Sequence, residues 1–79
     1  MLMIMDTMMS LRVFCLVAEF KSFTGAAGRL NLSPAMVSKH VMRLEKRLGS
    51  RLLNRTSRSV TLTETGALYF SQTKQMLEG

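Results

Sequence analysis

Cysteine, proline, tryptophan and acidic residues are scarce in this chain. Its 79 residues include one cysteine, one proline and no tryptophan. Because Cys15 is alone, the chain can form neither an intramolecular disulfide nor a cluster of thiolate metal ligands. Its neighbours Phe14 and Leu16 are apolar, so we expect a buried, inert thiol, as is usual in a reducing cytoplasm.

Long apolar runs are missing as well. The opening Met1–Met5 is apolar but stops at Asp6 and has no basic segment before it, so it is too short for a signal peptide or a membrane span. Alternating methionines can bind Cu(I), but a flexible N-terminal segment encoded by several Met codons is the favoured interpretation. We therefore expect no membrane association, no metal site and no cofactor.

Acidic charge is outnumbered by basic charge. Eleven Lys and Arg residues face five Asp and Glu residues, for a net charge of +6. Eight of the basic residues lie between Arg29 and Arg58, where Glu45 is the only acidic one. A basic segment is commonly just a solvated surface, but it also suits a polyanionic partner such as nucleic acid.

Catalytic constellations are not apparent. His40 is the only histidine, no glycine-rich phosphate loop is present, and His40 is better explained as a flanking polar or phosphate-contacting residue than as a base. The carboxylates are dispersed, at Asp6, Glu19, Glu45, Glu64 and Glu78. We therefore expect no enzyme.

Apolar spacing predicts three helices in the first two thirds of the chain. Helix 1 is expected from about Thr7 to Phe20, with Asp6 or Thr7 as its N-cap. Its predicted apolar face comprises Leu11, Phe14, Cys15 and Ala18. Helix 2 follows with Ser22 or Thr24 as its cap, and Asn31 and Leu32 form the turn that leads to helix 3.

Helix 3, from Ser33 to Leu48, has the strongest boundary signals. Ser33 can accept a hydrogen bond from a free backbone N–H, and Pro34 suits the first helical position because it has no N–H to satisfy. Gly49 is the expected left-handed stop. Helices 2 and 3 therefore predict a helix-turn-helix over about residues 22–41, the geometry that places a helix in a DNA major groove.

The two sides of helix 3 differ in chemistry. At 100° per residue, its core side carries Val37, Val41, Leu44 and Leu48. What we call the outer face carries Ala35, Lys39, Met42, Arg43 and Lys46, flanked by Met36, Ser38 and His40. This face is small at its N-terminal end and basic farther along, so it can enter a groove and meet phosphates.

The pattern changes after Gly49. Residues 53–55 and 60–62 alternate as two short strands of a hairpin, a wing over about residues 52–62 whose tip carries Arg58. Arginine inserts favourably into a minor groove. A last helix begins after Thr63, and Ala67, Phe70, Lys74 and Leu77 follow one edge of it. Its apolar residues lie on several sides, which indicates a partner helix.

Residues along nearly the whole chain have the order and spacing of one known family. They are Leu11, Phe14, Ser22, Phe23, Ala26, Ala27, Leu30, Leu32, Ser33, Val37, Ser38, Leu44, Glu45, Leu48, Gly49, Leu52, Leu53, Arg55, Thr56, Arg58, Leu62, Thr63 and Gly66. In these residues the chain resembles the DNA-binding domain of the LysR-type transcriptional regulators. The resemblance covers all but the first few residues.

This resemblance implies a mainly α fold: a winged helix-turn-helix of three helices and a short two-stranded wing over residues 7–62, then the start of a dimerising linker helix over residues 63–79. Helix 3, about residues 33–48, becomes the recognition helix. In the family an effector-binding domain follows, and this chain lacks it, so a small-molecule effector is expected only if a longer protein carries that domain.

The resemblance also implies which residues would meet DNA. Ser38 and Lys39 fall on groove-contacting positions, and Arg55 and Arg58 fall on the wing. The full candidate set is Thr24, Ser33, Pro34, Ala35, Met36, Ser38, Lys39, His40, Met42, Arg43, Lys46, Arg55 and Arg58. Where many members have glutamine this chain has Pro34, so the target sequence is not inherited; Ala35 or Met36 could instead contact a thymine methyl.

The expected function is regulation of transcription by a cytoplasmic homodimer that binds double-stranded DNA at an interrupted inverted repeat. The dimer would form through the last helix, at Ala67, Phe70, Lys74 and Leu77. The alternative is a module that only binds protein, for instance one that sequesters a full-length relative. Such a module would not need Lys39, Arg43, Lys46 and Arg58 together.

Overall fold

The computed structural model describes residues 2–55 and 59–78, and the side-chain surroundings of residues 8–55 and 59–76. Its elements are α1 (Leu2–Phe20), α2 (Phe23–Leu30), α3 (Pro34–Leu48), β1 (Leu53–Arg55), β2 (Val60–Leu62) and α4 (Glu64–Glu78). These elements form a mainly α winged helix-turn-helix, as the sequence predicts.

Helix α1 is longer than predicted. It begins at Leu2, so the expected start near Thr7, with Asp6 or Thr7 as N-cap, is wrong. Methionine and leucine are good helix formers and no proline or glycine interrupts residues 2–7, so the helix continues back through Asp6. Its side chains Val13 and Val17 are fully buried, while Leu11 and Ala18 of the predicted face are only half-buried.

The core forms where α1 packs on α2, α3, α4 and β2. The buried apolar side chains are Val13, Phe14, Cys15, Val17, Ala26, Ala27, Val37, Val41, Leu44, Leu52, Leu53 and Val60. Burial and the nearby Glu19 carboxylate raise the pKa of the Cys15 thiol to about 11, since both disfavour the thiolate. Cys15 is therefore a core residue.

The helix-turn-helix is held by local capping bonds. Ser22, rather than Thr24, is the N-cap of α2, and its Oγ accepts from the Gly25 N–H at 3.0 Å. Asn31 ends α2 in the left-handed conformation, at φ 59°. The Leu32 N–H then donates to the Ala27 carbonyl at 3.0 Å, which fixes the turn into α3.

The wing is a two-stranded antiparallel sheet with the predicted strands. Leu53 pairs with Leu62, and Arg55 pairs with Val60. The predicted tip residue Arg58 lies outside the described residues.

Helix α4 is joined to the start of the wing. Thr63 Oγ1 accepts from the Gly66 N–H at 2.9 Å, which confirms the predicted cap, and donates to the Arg51 carbonyl at 2.6 Å. The Thr63 N–H donates to the Leu52 carbonyl at 3.0 Å. Among residues 2–55 and 59–78, no helix combines the length and apolar character needed to cross a membrane.

Candidate nucleic-acid interface

Helix α3 has the boundaries that its capping residues predict. Ser33 Oγ accepts from the Met36 N–H at 3.2 Å, and Pro34 opens the helix. Gly49 ends it at φ 71°, with its N–H directed to the carbonyls of Glu45 and Lys46. Both ends are therefore fixed independently of the wing, and the helix presents a stable surface about 22 Å long.

The two sides of α3 are separated as predicted. Val37 and Val41 are fully buried and Leu44 is nearly so. All five residues of the outer face are exposed, namely Ala35, Lys39, Met42, Arg43 and Lys46. Met36 is also exposed, and with Lys39, His40 and Arg43 it lines a shallow depression of about 150 Å³.

Glu45 lies on the core side of α3, where the sequence did not lead us to expect it. It is the only acidic residue of the helix, and it is 8 % exposed. Its Oε2 accepts from the backbone N–H groups of Leu52 and Leu53, at 2.9 and 3.2 Å. The spacing Val37, Val41, Glu45 could have shown this, because residues four apart share a helix face. With its one carboxylate turned inward, α3 presents only cationic charge outward.

Two further candidate residues, His40 on α3 and Thr24 on α2, have different surroundings. His40 is half-buried, and its Nδ1 lies 3.1 Å from the hydroxyl oxygen of Ser10, a residue only 2 % exposed. This contact joins α3 to α1. Thr24 is exposed on the first turn of α2, at the end of that helix opposite to the turn that leads into α3.

Of the two wing arginines, Arg55 lies in the described part of the chain. Its side chain is directed back toward α3: Nη2 lies 3.9 Å from Glu45 Oε1, and Nη1 donates to Ser38 Oγ at 3.4 Å. The Arg55 side chain is 30 % exposed. It therefore lies at the junction of the wing and α3.

The candidate dimer residues on α4 differ in exposure and in contacts. Ala67 is exposed, whereas Phe70 packs edge-on against Phe14 of α1, with ring centroids 6.5 Å apart. Lys74 lies over the Phe70 ring at 5.7 Å and 3.9 Å from the Glu19 carboxylate. The side chain of Leu77 is outside the described residues. The exposed apolar residues of α4 include Leu68 and Met76, at 58 % and 52 %.

Helix α4 also borders an apolar groove with α1 and α3. The groove has a volume of about 250 Å³ and is lined by Leu11, Leu44, Arg47, Leu48, Tyr69, Gln72, Thr73 and Met76. Among residues 64–76 of α4, Gly66 and Thr73 are buried, so this part of the helix rests on the domain along a row that was not predicted from the sequence.

Comparison with known proteins gives one consistent answer. The family of bacterial regulatory helix-turn-helix proteins of the lysR type matches residues 8–67. An uncharacterised HTH-type transcriptional regulator of Haemophilus influenzae is 44 % identical over 73 residues, which are 92 % of this chain and 25 % of that protein. The HTH-type transcriptional activator AaeR of Escherichia coli K12 is 42 % identical, over 92 % of this chain and 24 % of AaeR.

A solved structure agrees in fold. The BenM DNA-binding domain, in its complex with catB site 1 DNA, superposes with a TM-score of 0.87 at 35 % identity, over 90 % of this chain and 79 % of that chain. The chain spans about a quarter of the length of the curated relatives that it matches. With its winged helix-turn-helix and its basic outer face, the chain belongs to the lysR family of bacterial helix-turn-helix regulators.

Proposed function

We propose that this chain binds double-stranded DNA sequence-specifically, with α3 in the major groove and the wing at the minor groove. The outer face of α3 supports this proposal most directly: Lys39, Arg43 and Lys46 are exposed, and Glu45 is buried behind them. A helix fits the major groove, which is about 12 Å wide. Ala35 at the N-terminal end is small enough to approach base edges closely.

The residues have distinct proposed roles. Lys39 lies one turn into α3, where it can reach base edges, whereas Arg43 lies a turn farther along and suits a phosphate. Ser33, Pro34, Met36, Ser38, His40 and Met42 complete the proposed contact surface of α3, with Thr24 on α2 and with Arg55 and Arg58 on the wing. Phosphate contacts would supply most of the affinity, and base contacts the specificity.

The salt dependence of DNA binding tests this proposal. A duplex recovered by selection from a random DNA pool is labelled, and its affinity is measured by fluorescence anisotropy at several salt concentrations. The logarithm of the affinity should fall linearly with the logarithm of the salt concentration, because each neutralised phosphate releases condensed counterions. A flat dependence would exclude nucleic acid as the partner.

A pair of charge variants separates a specific face from overall charge. The double variant Lys39→Gln, Arg43→Gln should lose most of the affinity and lower the salt slope by about 1 for each Arg43 phosphate contact that is lost. The control Arg12→Gln, Lys21→Gln removes two charges from exposed positions on α1 and in the turn after it. Equal losses in the two variants would mean that DNA is attracted only by net charge.

We also propose that two copies pair through α4 and read an interrupted inverted repeat. The exposed Leu68 and Met76 support this, because a single domain leaves both side chains in water. Sedimentation at micromolar concentration should show a dimer that Leu68→Glu disrupts. Thr24→Glu adds the same charge on α2 and should leave the dimer intact. A monomer that neither variant changes would refute this interface.

A further inference from the structure

Arg55 is held by two helices that precede it in the chain. Its guanidinium carbon lies 4.7 Å from the centroid of the Phe23 ring on α2. Its two terminal nitrogens lie 3.4 Å from Ser38 Oγ and 3.9 Å from Glu45 Oε1, both on α3. A planar guanidinium can stack on an aromatic ring and use its edge for hydrogen bonds at the same time.

Charge alone does not account for this placement. Arg51 also faces the Glu45 carboxylate, with its Nε 4.0 Å from Oε2, yet its side chain is 71 % exposed, whereas that of Arg55 is 30 % exposed. Attraction to Glu45 is therefore not enough to bury an arginine side chain, because Arg51 experiences it and remains largely in water. The additional contacts of Arg55 are those with Phe23 and Ser38.

Ser38 connects Arg55 to the outer face of α3. It is half-buried and lies on the same helical row as Ala35 and Met42, three residues before and four residues after it. Arginine can only donate hydrogen bonds, so the Ser38 oxygen serves Arg55 as an acceptor. The hydroxyl keeps its one proton for donation, and in the free protein this proton is directed to Met42 Sδ at 4.0 Å.

We propose that Arg55 is a positioning residue, which fixes the Ser38 hydroxyl as a hydrogen-bond donor on the outer face of α3 so that it recognises an acceptor atom of DNA. The proposal rests on the proposed DNA-binding function. A thioether sulfur is a weak acceptor, so an oxygen or nitrogen of DNA would readily replace Met42. Acceptors occur on base edges in the major groove and on phosphate oxygens. Arg55 then contributes to this recognition through Ser38.

A double-mutant cycle tests this role. The variants are Arg55→Lys, Ser38→Ala and the combination of both, each as the 79-residue chain. Arg55→Lys keeps the charge, but an ammonium cannot stack flat on Phe23 while bridging to Ser38. Arg51→Lys is the matched control, because it makes the same change at the more exposed arginine beside Glu45. Circular dichroism establishes that each variant is folded at the assay temperature.

The measured quantity is the ratio of two affinities, for a duplex selected from a random pool and for a scrambled duplex of the same composition. We expect Arg55→Lys and Ser38→Ala each to lower this ratio by about fivefold, as for the loss of one base contact. The double variant should also lose about fivefold, because both changes remove the same interaction. Arg51→Lys should leave the ratio unchanged. Partial unfolding would weaken both affinities alike and cannot produce this result.

The other outcomes are equally distinct. If the coupled losses affect both duplexes to the same extent while circular dichroism shows every variant to be folded, the acceptor of Ser38 is a phosphate oxygen, and the positioning role stands. A double variant that loses about 25-fold, the product of two independent effects, would overturn it. So would an Arg55→Lys variant that binds like the wild type, since Arg55 would then act only as a charge. A wild-type chain that binds no duplex would overturn the DNA-binding proposal itself.

Discussion

Gly66 and Gly28 should respond in opposite directions to the same substitution. A Cβ atom built on Gly66 would lie 1.9 Å from the carbonyl oxygen of Leu52, whereas one built on Gly28 has no neighbouring atom within 4 Å. The obstacle at Gly66 is backbone, which cannot rotate aside as a side chain can. Gly66→Ala therefore requires α4 to move away from the segment before β1, whereas Gly28→Ala requires no movement.

The structure allows an estimate of the loss at Gly66. Overpacking a well-packed site costs about 1–3 kcal/mol. The movement also strains the bonds that tie the same two segments, from the Thr63 N–H to the Leu52 carbonyl and from the Thr63 hydroxyl to the Arg51 carbonyl, each worth about 1 kcal/mol. We expect Gly66→Ala to lower the free energy of unfolding by about 3 kcal/mol.

The control should gain stability. Gly28 is exposed within α2, and alanine there restricts the unfolded chain, so we expect Gly28→Ala to raise the free energy of unfolding by about 0.5–1 kcal/mol. Urea and thermal unfolding followed by circular dichroism measure both changes. In a domain of this size 1 kcal/mol shifts the Tm by about 4–8 °C, so the two variants should separate clearly. A Gly66→Ala variant as stable as the wild type would refute the close contact.

Other predictions concern the core, the wing and the outer face. Glu45→Ala leaves the buried N–H groups of Leu52 and Leu53 without their acceptor, so urea unfolding should show a free energy of unfolding that is lower by about 2–4 kcal/mol. Glu45→Gln keeps one side-chain oxygen as an acceptor, so its free energy of unfolding should fall by less. Because the pKa of Cys15 is raised to about 11, the folded chain keeps this proton after the unfolded chain has released it. Stability should therefore be intact below about pH 9 and fall as the pH rises from there toward 11; a Cys15→Ala variant that shows the same fall would contradict this. Lys39→Ala should weaken binding to the selected duplex more than binding to random DNA, by about 1–3 kcal/mol of discrimination. Arg43→Ala should weaken binding to both duplexes alike. Competition titrations that give equal losses for both variants would show that Lys39 does not read a base.

The boundaries of the main elements could be predicted because their signals are local. Ser33, Pro34 and Gly49 fix α3 through bonds that span only a few residues. Residues 53–55 and 60–62 likewise form the predicted strands. The start of α1 was not predictable in this way, because residues 2–7 contain no proline or glycine and the capping preference of Asp6 does not interrupt the helix.

The sequence by itself determined the class of fold, the family and the exposed basic face of α3. Each of these follows from the order and spacing of residues along one segment. Only the tertiary structure decided that Glu45 is turned inward to the backbone at Leu52, that Arg55 lies against α3, and that Phe70 packs on α1. Helical periodicity limits which side of a helix a residue is on, but the partner it meets depends on which element packs there, and that is fixed only when the whole chain has folded.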